Sequence, residues 1–462
     1  MARFDLIIVG AGPAGIEAAR VAAEGGMQVL LLDDQPRPGG QIYRNISLNE
    51  GQRWLGSDYF AGTALVAGLA QPGITHVPGA FVWRIEDGYH VCWSASGESH
   101  SASAPHIILA TGAMERPVPF PGWTLPGAMP AGAAQIMMKQ ANRVPDRAVL
   151  AGAGPLLYLV AVQMIDAGVP PIALVETSSR RDVMRAARHL PQAQLGLGTL
   201  FKGFRLLLQI RKAGVRRYKA SSDFRAESGS AGDIEFSFRS QGRTRQIKCR
   251  SLLTHSGVVP QTHLTRSMGI AHVFDKQQMA LRPRVEEWGQ TSKPGVKVAG
   301  DGSGIGGAEA ACIQGGLAAL YTLYEAGRIS EATLAQQAAA LQQALPDALS
   351  VRPFLDAAYP VLPEFFTPRD ETIVCRCEDI TAGAIREAVA SGADGPRKLK
   401  TTLRTGMGPC QGRMCEATIT GLLAEAGHKP IAEIDPARIR APVKPVTLGE
   451  LAALDPPVDE AF

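Results

Sequence analysis

The chain has 462 residues, 45% of them hydrophobic, with 47 Lys and Arg against 43 Asp and Glu for a formal net charge of +4. That length holds two or three domains with ample apolar content for their cores, and so small a charge, on basic residues that read as scattered, makes no case for nucleic-acid binding. Seven cysteines, four of them crowded near the C-terminus, are not a secreted disulfide frame, and with no charged-then-apolar leader before the first strand a cytoplasmic protein is expected.

The first predicted element is a strand buried on both faces over residues 6–9, Leu-Ile-Ile-Val. The chain then turns through Gly10, Gly12, Pro13, Ala14 and Gly15 into an Ala-rich helix over 16–23. The glycines serve different ends. Gly10 permits the tight turn, Gly12 close approach of backbone to a pyrophosphate, and Gly15 close packing of helix on strand. Pro13 suits a first helical turn, where no N–H is needed. A second strand over 28–32 delivers Asp33, with Asp34 beside it, about 20 residues beyond the glycines, where a carboxylate takes adenosine ribose hydroxyls. A glycine-rich turn alone is weak evidence; strand, turn, helix, strand and acid in this order point to a dinucleotide site. Further on, Gly40 after Gly39 allows a second close approach of backbone, and Gln41 offers an amide; a plain turn is the competing reading.

Residues 73–94 read as a small β-meander with Val82 on one strand, and 106–112 as a short buried strand ending in Ala110, Thr111 and Gly112. A proline-rich run over 117–127 closes this lobe. The longest apolar run, 148–162, is too short to cross a bilayer and contains Gly152, Gly154 and Pro155, so it reads as a second strand–turn–helix. A strand over 172–175 then delivers Glu176. Leu157 stands where the third glycine belongs and should push the helix off the strand and crowd a pyrophosphate. If NAD or another adenine nucleotide binds at Gly152–Gly154, Glu176 favours a free 2′-hydroxyl, while Arg180 and Arg181 weigh weakly the other way; the competing reading is a structural domain with a vestigial or regulatory nucleotide site. Residues 218–249 form a second meander, 252–257 a closing strand, and 296–299 a buried strand ending in Gly300 and Asp301 before a helix over 308–319. A carboxylate there can accept from ribityl hydroxyls.

Residues 326–366 are Ala-, Gln- and Leu-rich, helical in part, then broken by Pro346, Pro353, Pro360 and Pro363: a connector. It leads to Cys375-Arg-Cys377 and, after 32 intervening residues, Cys410-Gln-Gly-Arg-Met-Cys415. Four soft thiolates in two close pairs suit a metal or cluster. Zinc more often uses Cys-x-x-Cys pairs. Cys-x-Cys with Gly406, Gly408 and Gly412 nearby favours a 2Fe–2S cluster over zinc, and either over free thiols. Helices over 382–390 and 417–426 frame the cysteine loops.

Taken in order, residues 10–15 with Asp33, Thr111–Gly112, the degenerate Gly152–Gly154 turn and Gly300–Asp301 resemble the two-dinucleotide-domain flavoproteins that include the pyridine nucleotide–disulfide reductases, over roughly the first 325 residues. The resemblance implies an α/β fold of two Rossmann-like domains and FAD, its ribityl chain near Asp301. It departs from that family at Cys92, Cys249 and Cys312, which are isolated, so thiol exchange is excluded. Residues 371–430 resemble the small helical ferredoxin-like domain first associated with bacterioferritin, which carries a 2Fe–2S cluster; the four-residue gap between Cys410 and Cys415 is similar to the version fused to flavin dehydrogenases. The expected division is 1–125 with 285–325 for FAD, 126–284 for the second nucleotide-binding-like domain, 326–370 for the connector, 371–430 for the cluster and 431–462 for a tail that packs on the body or a partner.

The whole order resembles the α subunits of bacterial heteromeric amine dehydrogenases, the group of opine oxidase, hydroxyproline dehydrogenase and hydrogen cyanide synthase. That resemblance implies an FAD and iron–sulfur relay serving an amino-acid-oxidase-like flavoprotein β subunit, with room for a small third one. It also implies a respiratory electron acceptor reached from the cytoplasm or from the inner face of the cell membrane, though no amphipathic anchor stands out. The alternatives are a stand-alone NADH-dependent reductase and a non-catalytic assembly subunit. No acid–base residue is identified; His255 and His263 read as structural, and Glu115–Arg116 as a surface loop.

Overall fold

The computed structural model describes residues 4–454; residues 1–3 of the first expected domain and 455–462 of the expected tail lie outside the described residues. Leu6–Val9 is the middle strand of a five-stranded parallel sheet, flanked by His106–Leu109 and Val29–Asp33, with Val296–Val298 and Ile74–Pro78 at the edges. All four of its side chains are buried, Leu6 and Ile8 on one face and Ile7 and Val9 on the other. Its two neighbours lie on opposite sides, which opens a crevice at the strand ends where ligands of such sheets bind.

The meander expected over 73–94 begins later. Ile74–Pro78 has joined the parallel sheet beside Val29–Asp33, and the antiparallel meander is Phe81–Ile85, His90–Ala95 and Glu98–Ser103. The alternation of residues 74–78 belongs to an edge strand, half-exposed on both faces.

The second lobe repeats the plan. A parallel sheet runs Arg216–Tyr218, Ala173–Glu176, Ala148–Ala153, Ser251–Ser256 and Ala128–Pro130, and a meander of Ser221–Ser228, Ile234–Ser240 and Arg243–Cys249 crosses it. Residues 258–284, grouped with this lobe in the sequence reading, pack with the first: Val258–Pro260 pairs with Ala113–Glu115, and Leu264 and Ile270 lie in the first lobe's core.

Helix Pro13–Glu24 lies against helix Ala308–Glu325 with almost no space between backbones. A Cβ on Gly315 would stand 2.1 Å from the Ala14 carbonyl oxygen, and one on Gly15 would stand 1.8 Å from that of Gly10. Helix Glu331–Leu349 covers the pair with Leu334 and Ala338. It runs through Pro346, where the sequence reading placed a break; Pro346 is exposed in the final turn, so only one backbone bond is forfeited.

The cluster unit has a hairpin, Ile373–Cys375 with Ile380–Thr381, and helices Ala382–Ala390, Pro396–Leu403 and Glu416–Gly427 around Val374, Ile385, Leu399 and Leu422. Arg266 holds it to the first lobe by a two-pronged ion pair with Glu416, at 2.7 and 2.6 Å. Trp123 Nε1 donates to the Ile373 carbonyl at 2.7 Å from the second lobe. Basic residues are not scattered throughout: residues 180–219 hold eleven Lys and Arg and one acidic residue, Asp182.

Replacing Gly315 with Ala should cost about 1–3 kcal/mol, because the added methyl meets backbone that cannot move aside. Gly203→Ala, in helix Leu197–Lys212 with open space around it, should raise stability by roughly 0.5–1 kcal/mol. Thermal midpoints of the two variants, moving in opposite directions, check the pair.

Candidate functional site

The C-terminal ends of the central strands and the N-termini of helices Pro13–Glu24 and Ala308–Glu325 meet in a cleft of about 590 Å³. Fourteen of the residues marked from sequence line it: Gly10, Gly12, Pro13, Ala14, Asp33, Asp34, Gly40, Gln41, Val82, Ala110, Thr111, Gly112, Gly300 and Asp301. Gly15 does not; it sits beneath, where only hydrogen fits. The first helix starts at Gly12 with no side chain capping it, so its free N–H groups face the cleft. Gly40 comes so close to Gly12 that a Cβ there would lie 2.8 Å from the Gly12 Cα.

Asp33 is 5% exposed, and its Oδ2 has no hydrogen-bond partner. Burial, with the Asp34 charge adding to it, pushes its carboxyl up to about 6. Burial also opposes ionisation of Asp34, but Lys444 at 2.8 Å and the Gln35 amide at 2.7 Å outweigh it and hold that carboxyl below its ordinary value. Asp301 Oδ1 accepts from the N–H groups of Gly306 and Gly307, both at 2.9 Å, which fixes the carboxylate at the cleft wall. An unpartnered buried carboxylate oxygen at the ribose position, with helix N–H groups and bare glycine backbone beside it, is a donor and acceptor set that fits an adenine dinucleotide.

The matching glycine turn in the second lobe has a side chain beside it. The Gly154 Cα faces the His255 ring, so that a Cβ would lie 3.1 Å from its Cδ2. That ring is held by Glu115, whose Oε1 is 2.5 Å from His255 Nδ1 and whose Oε2 accepts from Gly132 N at 2.6 Å. Leu157 has not displaced its helix; it is 1% exposed within the lobe's core. Glu176 is buried and occupied, taking Arg217 at 2.8 and 2.7 Å and the Tyr158 hydroxyl at 2.7 Å. Arg116 is no surface residue: it is buried, donates to the carbonyls of Ser256, Gln278 and Met279 (2.5–3.1 Å), and burial brings its guanidinium down to about 10.

The four clustered cysteines fall in two neighbouring pairs, Cys375 with Cys415 and Cys377 with Cys410. The Cys415 thiol, then the N–H groups of Gly406, Glu378 and Cys377, outweigh burial and bring the Cys375 thiol down to about 5. Among the described residues no three of these sulfurs lie within 4.8 Å of one another. A tetrahedral zinc, with Zn–S near ~2.3 Å, would need all four that close; two pairs set apart fit a two-iron cluster. Gly408 is required here, since a Cβ would lie 2.2 Å from the Cys377 Cβ. Cys92, Cys249 and Cys312 are free and stand apart in the two lobes.

The cleft also has walls that sequence reasoning missed. Arg413, from between Cys410 and Cys415, lines it together with His263, Val443 and Lys444. Arg413 donates to the carbonyls of Cys410 at 3.2 Å and Val443 at 2.9 Å, and His263 Nε2 lies 3.1 Å from the Gln411 carbonyl. Burial, then the Arg413 charge, brings the His263 ring down to about 4. The tail is pinned by Val443 N donating to the Trp83 carbonyl at 2.9 Å. One cysteine loop thus borders the dinucleotide cleft directly. No local pattern in the sequence marks this contact.

Residues 4–339 match the family model described as pyridine nucleotide-disulphide oxidoreductase, and residues 373–425 the BFD-like [2Fe-2S] binding domain. The A subunit of opine oxidase from Rhizobium meliloti is 42% identical over 98% of this chain and 88% of its own. The HcnB subunit of hydrogen cyanide synthase from Pseudomonas protegens is 31% identical over 98% of each. The fold is shared with L-proline dehydrogenase from P. horikoshii, at a TM-score of 0.71 and 19% identity over 98% of this chain and 80% of that one.

Asp33 keeps its proton up to about pH 6 in the native chain but loses it near 3.8 when unfolded. Stability of the cofactor-free chain should therefore fall by roughly 3 kcal/mol as pH rises through that window and stay low above it. Asp33→Asn should remove this loss, raising the thermal midpoint at about pH 8 and leaving it nearly unchanged below about pH 4, while weakening dinucleotide binding. Arg217→Ala, which leaves Glu176 buried without its cation, should cost about 3–5 kcal/mol in the same melts.

Proposed function

The chain belongs to the pyridine nucleotide-disulphide oxidoreductase family, in the branch that carries a BFD-like [2Fe-2S] domain and includes the A subunit of opine oxidase, and we propose that it is the FAD- and 2Fe–2S-containing electron-transfer subunit of a heteromeric dehydrogenase. The donor is an amino acid, imino acid or opine, oxidised at its CH–NH or CH–NH₂ bond on an amino-acid-oxidase-like flavoprotein partner, with or without a small third subunit. Electrons then pass to a respiratory acceptor at the inner face of the cell membrane. The single observation that carries this reading is the loop between Cys410 and Cys415 lining the dinucleotide cleft through Arg413.

When bound, FAD takes up electrons in pairs and a 2Fe–2S centre passes them one at a time. The protein's residues hold and shield these groups. The N-terminus of helix Pro13–Glu24 and Gly12 would receive the pyrophosphate, Asp33 the adenosine ribose and Asp301 the ribityl chain. Cys375, Cys377, Cys410 and Cys415 would hold the cluster. Arg413 puts a cation beside the cleft on the cysteine loop, and Val443 and Lys444 form part of the cleft's wall.

A stand-alone NADH-dependent reductase would need the second lobe's nucleotide site. His255 against Gly154, and Arg217 on Glu176, support a structural lobe in its place. Anaerobically purified wild-type chain should be yellow and show a reducible iron signal. Cys410→Ser with Cys415→Ser should abolish the iron signal and keep the yellow absorbance. NADH added to the isolated chain should leave that absorbance unbleached over minutes, whereas rapid bleaching would overturn the relay reading in favour of the NADH reductase.

A further inference from the structure

Helix Leu197–Lys212 has two unlike sides. Ile210 is fully buried, and Leu206 and Leu207 pack with it against the second lobe's core. On the other side Phe201 is 63% exposed, Phe204 56% and Leu208 39%. Their spacing of three and then four residues puts them in one stripe. Lys202, Arg205, Arg211 and Lys212 are exposed around that stripe. Lys202 pairs with Asp58, while Arg205, Arg211 and Lys212 meet no carboxylate among the described residues. The helix lies in the stretch 180–219, which holds eleven basic residues and one acidic, Asp182; Lys202 and Arg217 are paired outside it, with Asp58 and Glu176, and with +4 for the whole chain the remainder is net acidic. The chain's excess of basic residues is therefore concentrated in the stretch that carries this helix, and Arg205, Arg211 and Lys212 are exposed on the same helix as Phe201 and Phe204.

We propose that this helix face docks on an anionic lipid bilayer. Two exposed phenylalanines and a partly exposed leucine in one stripe have the form of an interfacial wedge, and the lysines and arginines beside them would meet lipid phosphates. A protein partner would have to offer an acidic surface with an apolar slot cut to the same stripe, whereas an anionic bilayer provides both properties with no fixed shape. No helix among the described residues is long and apolar enough to cross a membrane, so the attachment is peripheral. This surface was not evident from sequence because the apolar positions facing the core and those facing outward are interleaved along one helix. The inference rests on the relay reading for its purpose, electron delivery at a membrane, yet its test needs no turnover.

Full-length protein, with any copurifying partner retained, is sedimented with phosphatidylcholine vesicles and with vesicles containing phosphatidylglycerol, at low and high salt. Binding is expected only to the anionic vesicles. High salt should weaken it at least about tenfold, and so should Phe201→Ser with Phe204→Ser. Arg205→Glu with Lys212→Glu should remove the preference for anionic lipid, and neither pair should change the flavin or iron signals. Failure to bind anionic vesicles, or unchanged binding by the Phe201→Ser/Phe204→Ser protein, would overturn the proposal. Loss of a copurifying subunit from that variant would overturn it too, by giving the face to a protein. A bleached flavin with normal vesicle binding would count against the relay alone.

Discussion

The architecture depends on backbone meeting backbone without side chains between. Gly15 lies on the Gly10 carbonyl, Gly315 on that of Ala14, and Gly10 on that of Ala110, where an added Cβ would stand 2.4 Å away. Those contacts draw two helices and the ends of two strands to one point, which turns an ordinary sheet crevice into a narrow cleft with free N–H groups at its floor. The apolar faces of the sheet hold the lobe together, but the glycines decide where the helices point.

The two lobes show how little must change for one plan to serve two ends. Both carry a parallel sheet, a glycine turn and an acid at the end of the next strand. In the first, the acid keeps an oxygen unpartnered in a cleft. In the second, the equivalent acid is neutralised by Arg217, the glycine turn faces His255, and Leu157 has gone into the core. An expected steric defect proved to be a packing choice: the side chain that would have spoiled a phosphate site fills the lobe instead. A buried arginine pair there stabilises only as a pair, which ties the lobe to its present use.

Features written in neighbouring residues were legible in the sequence. The strand–glycine–helix unit, the acid after the second strand and the cysteine spacing all act over a few residues, and the helix Ala382–Ala390 lies where its pattern placed it. What escaped was made by distance along the chain. Lys444 meets Asp34, Arg266 meets Glu416, and His263 meets Gln411, and no local pattern marks such partners. The edge strand Ile74–Pro78 was missed because half-burial on both faces imitates a meander. Pro346 misled because a proline's cost depends on how near the helix end it falls. Counting charge over the whole chain hid its concentration in residues 180–219.

The cleft's floor comes from residues 10–15 and part of its wall from residues 443 and 444. A ribosome therefore releases the floor hundreds of codons before the wall exists. During that interval the nascent N-terminal lobe offers an open, half-built pocket, whose wall is completed when Val443 lies between Arg413 of the cysteine loop and Trp83. The two sides of one pocket thus lie more than four hundred residues apart in sequence, and the pocket has its full lining only once residues 443 and 444 are in place beside the cysteine loop.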